Sequence, residues 1–275
     1  MKIKITIITV LFFLCGKTIA QYDEQVNFRS IEEFLSYRIL FDDVFKANEE
    51  ILRGIVKKIK ITDENGVVVT EISVDESGKI TDYKWPQKYG QDIIISYDIK
   101  NNLSGLRINR LGENKFEDVK LSYVGNTLLS YEKYINGKEP EDAITMRYDF
   151  PSDKSRITGF ESNFWRGDSI PFSMNFKYDE QARLYDVRVT GDNIPYYTIE
   201  YSGDTVKINR GDMSSYESFV IRENKFVHHK IHSEELSFTG ERDFEYDERG
   251  LVSREIYYDN RGSKYFFKYE YDYYH

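Results

Sequence analysis

From Ile55 onward, polar and apolar residues alternate one by one, and that period of two constrains the chain more than any other feature. Ser173-Met174-Asn175-Phe176-Lys177-Tyr178, Tyr185-Asp186-Val187-Arg188-Val189 and Val206-Lys207-Ile208-Asn209 all follow it. At the end of the chain Tyr265, Phe267, Tyr269, Tyr271 and Tyr273 share one phase, with Lys268, Glu270 and Asp272 in the other. Strict alternation marks half-buried antiparallel strands, because a parallel sheet covered on both faces would read as continuous apolar runs. The breaks between runs carry turn chemistry. Asp63-Glu64-Asn65-Gly66, Asp75-Glu76-Ser77-Gly78, Asp247-Glu248-Arg249-Gly250 and Asp259-Asn260-Arg261-Gly262 place Asp at the entry and Gly where φ must be positive.

These turns recur. Tyr-Asp occurs eight times, where 23 Tyr and 22 Asp in 275 residues would give about two by chance. An aromatic-Asp pair or a close variant opens a turn at Val74, Tyr97, Tyr123, Tyr148, Tyr178, Tyr201, Ile221, Tyr246 and Tyr271, a degenerate repeat of about 25 residues. Phe176-Lys177-Tyr178-Asp179-Glu180-Gln181-Ala182-Arg183-Leu184 resembles the YD (RHS-like) repeat, Tyr-x-Tyr-Asp-x-x-Gly-Arg-Leu, with Phe176 for the first Tyr and Ala182 for the Gly. Phe244 to Leu251 is a second copy and Tyr258 to Gly262 a shorter third, so the resemblance spans roughly residues 55–275 in patches. Large members of that family wind such hairpins into a shell around a toxin. The resemblance implies the architecture here, and the toxin activity is not carried over.

Two strands and two turns fit each repeat at ~3.3 Å per residue, and about 16 strands exceed what an open sheet holds without curling or splitting. The expected fold is therefore mainly β. It is a large antiparallel meander of repeated hairpins, curled or folded over on itself, with one N-terminal α-helix. That helix is expected over residues 31–53. Ser30 and Glu33 form a capping box, Phe34, Phe41, Phe45 and Leu52 make one stripe, and Gly54 is the stop. Three segments follow: 1–20, 21–54 with the helix, and a β repeat domain over 55–275.

Met1 to Ala20 reads as a signal peptide, with Lys2 and Lys4, an apolar run from Ile5 to Cys15, and Thr18-Ile19-Ala20 before the cut. The run is too short for a bilayer-spanning helix, so no transmembrane span is expected in the mature chain. Loss of Lys2, Lys4 and Lys17 with the peptide takes the formal charge from −9 to −12. That balance argues against nucleic acid, whose recognition rests on a basic face. Cys15, the one cysteine, leaves with the peptide, so neither a disulfide nor a Cys-ligated metal is expected.

The chemistry-bearing groups are few. His228-His229-Lys230-Ile231-His232 is the one histidine cluster. On a strand His228 and His232 lie ~13 Å apart on one face with His229 on the other, too far for converging ligands. No Gly-x-Ser-x-Gly, His-Glu-x-x-His, Gly-x-Gly-x-x-Gly or phosphate loop occurs after residue 20. No catalytic residue, metal ligand or cofactor is assigned. The candidate ligand-binding residues are Tyr265, Phe267, Tyr271 and Tyr273, since Tyr offers flat amphipathic rings suited to glycans or protein partners. The leading expectation is an exported, non-catalytic binding or scaffold protein of the bacterial cell envelope, in the periplasm or at the cell surface, with an envelope protein or glycan as partner. The alternatives are a periplasmic carrier of an apolar ligand with a helix plug and a hydrolase of envelope polymers.

Overall fold

The structure is a computed structural model that describes residues 47, 50–84, 91–99, 103–110, 115–124, 127–137, 140–148, 157–164, 172–189, 196–211, 214–234 and 237–275. The protein is mainly β, and its strands follow one another as antiparallel neighbours, as the alternation requires. The strands divide between two compact units whose borders fall inside β3 (Ile80–Lys84) and β12 (Tyr197–Ser202).

The first unit covers Thr81–Thr198. It holds β4 (Gln91–Tyr97), β5 (Leu103–Arg110), β6 (Lys115–Val124), β7 (Thr127–Ile135), β8 (Pro140–Tyr148), β9 (Ile157–Phe164), β10 (Phe172–Tyr178) and β11 (Leu184–Val189). Each pairs with the next in sequence. Ile93, Ile95, Leu106, Ile108, Val119, Met174, Phe176 and Val187 are buried, in a single phase within each of β4, β5 and β10. The opposite phase shows the pairs expected of a solvated face. Arg107 grips Asp118 with two bonds of 2.7 and 3.0 Å, and Lys120 stands over the Tyr134 ring.

The second unit joins the described residues up to Ile80 to Ile199–His275. It holds β1 (Val56–Thr62), β2 (Val68–Val74), β13 (Thr205–Arg210), β14 (Ser215–Arg222), β15 (Lys225–Ser233), β16 (Phe238–Tyr246), β17 (Val252–Tyr258) and β18 (Lys264–Tyr273). Here the first strand lies between β2 and β18, so the two ends of the repeat region are hydrogen-bonded to each other. Ile59 faces Ile72 on one side and Tyr271 on the other, and Ile61 faces Thr70 and Tyr269. The chain-terminal strand is therefore interior to the sheet. Large apolar side chains on this face, Ile59, Ile72 and Phe219 among them, are fully buried, each worth ~1.5–3 kcal/mol.

Residues 47 and 50–52 are helical, and the helix ends where expected. Gly54 takes φ +66°, Ile55 N–H donates to Leu52 O, and Gly54 N–H donates to Glu76 O in the β2–β3 turn. Leu52 is buried, whereas Phe34, Phe41 and Phe45 lie outside the described residues.

The repeat has a structural basis at both of its marked residues. The Asp holds the turn. Asp63, Asp75, Asp179, Asp247 and Asp259 each use Oδ1 to accept the amides two and four residues on, at 2.8–3.0 Å. The residue three positions on donates its N–H back to the Asp carbonyl with positive φ. That residue is Gly in four of these turns and Ala182, at φ +64°, in the fifth. The aromatic marks a bulge. Register shifts fall immediately before Tyr97, Tyr123, Tyr148, Tyr178, Ile221 and Tyr246, each a repeat position. A bulge bends its strand and sharpens the twist, so the repeat writes a bend into hairpin after hairpin.

Candidate functional site

The aromatic ladder of β18 shares one face, but its members meet different surroundings. Phe267 and Tyr269 are buried, and Tyr269 donates from Oη to Glu255 at 2.8 Å. Tyr271 is half-buried. Its hydroxyl donates to Val252 O at 2.6 Å, and burial, followed by the nearby Asp247 carboxylate, pushes its pKa above the ordinary tyrosine value. Tyr265 and Tyr273 are each 37% exposed and sit at opposite ends of the strand. They are eight positions apart, or about 26 Å at 3.3 Å per residue. Of the four sequence candidates, Tyr265 and Tyr273 are thus separate surface positions, while Phe267 and Tyr271 pack the strand between them. Arg249 lies over the Tyr273 ring at 4.9 Å, and Tyr265 stacks on Tyr257 at 6.0 Å.

At the turn end of the same unit, tyrosine hydroxyls cap strand carbonyls. Tyr246 donates to Phe226 O at 2.7 Å and Tyr274 to Val74 O at 2.6 Å. Burial also raises the Tyr246 pKa, so the phenol stays a donor. The repeated Tyr is therefore in part a carbonyl cap, a role that the Tyr-Asp recurrence marked without explaining.

The histidines divide as strand geometry dictates. His228 Nδ1 lies 2.8 Å from Asp243, and His232 Nδ1 lies 3.0 Å from Thr239 Oγ1 beside the Tyr216 ring. His229 points to the other face and is 1% exposed, stacked flat on Phe219 at 4.5 Å. Among the described residues, no three His, Cys, Asp or Glu side chains are grouped to hold a metal ion.

His229 belongs to a set that sequence reasoning did not single out. Glu217 (β14), His229 (β15), Arg242 (β16) and Glu255 (β17) lie on the buried face, each at most 4% exposed. Glu217 accepts from Arg210 at 3.1 Å, and its other oxygen lies 3.3 Å from His229 Nε2. Arg242 approaches Glu255 at 3.4 Å and lies 5.4 Å from the centre of the Tyr257 ring. Tyr257 Oη is buried and has no hydrogen-bond partner among the described residues; burial, partly offset by Arg242, raises its pKa. The signal for this set was present. Glu217 is in phase with Phe219, and Glu255 with Tyr257, so each places a charge in the apolar phase of its strand.

No family model matches the chain, and no curated protein matches it. Among solved structures, the chain is similar to a porin-like protein from Bacteroides uniformis ATCC 8492, at 12% identity and a TM-score of 0.41 over 79% of this chain and 96% of that one. It is also similar to a porin-like protein from Bacteroides vulgatus ATCC 8482, at 12% identity and a TM-score of 0.30 over 79% and 98% of the two chains. A third likeness is to the Tc holotoxin pore of Photorhabdus luminescens, at 11% identity and a TM-score of 0.28, over 70% of this chain and 12% of that one.

Proposed function

We propose that the protein is an exported, non-catalytic binding or scaffold protein of the bacterial cell envelope. One observation carries the reading: the same hairpin recurs with its turn amides taken up by its own Asp, so each hairpin is held at its turn and its outward face is what it offers. On β17 and β18 that face alternates cations with rings. Arg254 lies 4.4 Å from the centre of the Phe266 ring, and Lys264 serves both Tyr258 and Phe266. Tyr265 and Tyr273, in the opposite phase of β18, add exposed phenols at its two ends. Paired rings and charges of this kind suit an envelope protein or glycan. Met1 to Ala20 supplies the export signal.

A second reading, a carrier of an apolar ligand, draws on the helix end. A Cβ at Gly250 would stand 3.5 Å from Ile51 Cδ1, so the last helical turn is seated against the β16–β17 turn as a plug would be.

Co-sedimentation of exported protein with isolated envelope fragments tests the proposal. The sedimented chain is expected to begin at Gln21, and Tyr265→Ala with Tyr273→Ala to weaken binding about tenfold, the loss of ~1.4 kcal/mol. Retention of Met1, or sedimentation of the double variant like the parent, overturns it. Lipid released from the purified chain and seen by mass spectrometry would favour the carrier.

A further inference from the structure

A buried ion pair is weak evidence for stability. Replacing a buried ion pair by well-packed apolar side chains is frequently neutral or stabilising, because the interior returns little more than the desolvation it costs. What the apolar pattern lacks is discrimination. Alternation decides which face a residue occupies, and a slip of one residue reverses it, but a slip of two restores every apolar residue to the same face. In a chain of look-alike hairpins the same pattern also fits the wrong neighbour.

The polar set discriminates between neighbours and against a slip in one direction. Cross-strand neighbours on the buried face run Phe219–His229–Arg242–Tyr257–Tyr265, one residue from each strand from β14 to β18. The ion pairs run diagonally across this row. His229 reaches Glu217, which lies opposite Ile231, and Arg242 reaches Glu255, which lies opposite Phe244 and Phe267. Tyr269 of β18 closes the chain of contacts on Glu255. Acid stands on β14 and β17, and base on β15 and β16. A two-residue slip of β17 that carries Glu255 from opposite Phe244 to opposite Tyr246, or another hairpin seated in its place, leaves Arg242 and Glu255 buried apart from each other, whereas the reverse slip sets Glu255 directly across from Arg242. Leaving one member of such a pair alone reduces the folding equilibrium about 200- to 5,000-fold.

We propose that Glu217–His229 and Arg242–Glu255–Tyr269 are pairing determinants: they select which look-alike hairpin lies beside which, and bar a slip in one direction, rather than adding net stability.

The test uses the full exported chain with Arg242→Met alone and with Arg242→Met, Glu255→Leu and Tyr269→Phe combined. Denaturant melts, two-dimensional amide spectra and light scattering after chromatography are read on each. The single variant is expected to lose about 200- to 5,000-fold in the folding equilibrium. The triple variant is expected to return within about tenfold of the parent, yet to show more than one set of amide resonances or a mixture of monomer and larger species. A triple variant that is monomeric with one set of resonances overturns the proposal. So does a triple variant as unstable as the single one, since the pair would then be a source of stability, and so does a single variant that melts like the parent.

Discussion

At the scale of single residues, the Asp turn does the most for the least chain. One carboxylate oxygen takes two amides that would otherwise go unpaired, as Asp247 does for Arg249 and Leu251. Where these bonds dominate, they also set the charge state. The Asp179 carboxyl is held below its usual range first by the Arg183 amide, against burial. The turn's other requirement is a residue with positive φ, and Ala182 meets it at φ +64° with a Cβ that the left-handed region disfavours. Ala182 is exposed, so its methyl group has little to pack against. Ala182→Gly should therefore stabilise the protein by about 1 kcal/mol, the relief of strain less the extra freedom of Gly when unfolded. Denaturant melts measure it, and an unchanged or lower midpoint would mean the turn tolerates Ala without strain.

Among the elements, β18 departs most from what its position in the chain suggests. A terminal strand invites reading as a fraying edge, yet β18 is paired along both sides, with β17 and with β1. Its aromatic residues divide accordingly. Tyr269 is buried with its hydroxyl on Glu255, and Tyr273 stands partly in solvent under Arg249. Tyr269→Ala should cost about 3–5 kcal/mol, as expected for deletion of a buried aromatic ring. Tyr273→Ala should cost no more than about 1 kcal/mol, the worth of an exposed cation–π contact. Equal losses in thermal or denaturant melts would show that the two ends of the strand are packed alike.

For the molecule as a whole, the pairing of β1 with β18 joins residues more than 200 positions apart, Val56 with Tyr273 among them. Such a contact forms only after a very long loop has closed, so it is slow to form and depends on the strands between. Removal of residues 264–275 should then do more than fray an edge. It strips β1 and β17 of a shared partner and uncovers Ile59, Ile61 and Ile256. The truncated chain is expected to lose the protection of the unit formed by the residues up to Ile80 and Ile199–His275, while Thr81–Thr198 keeps its strands. Limited proteolysis followed by mass spectrometry reads this out directly, and a protected β1 in the truncated chain would refute it.

What the sequence by itself determined is local. The period of two set the strands and the phase of each face, Asp and Gly set the turns, and Gly54 set the end of the helix. The Tyr-Asp spacing marked positions that prove to be bulges and carbonyl caps, although alternation carries no information on either. Tertiary structure alone decided the neighbours: β18 beside β1, the division of the strands into two units, and the burial of Glu217, His229, Arg242 and Glu255. The reason is physical. A turn or an alternating run is stabilised by residues within a few positions of itself, so its signal is written in one stretch of sequence. A strand's partner, and the fate of a charge in its apolar phase, depend on side chains brought from elsewhere in the chain, and Arg242 reads as a surface residue until Glu255 stands beside it.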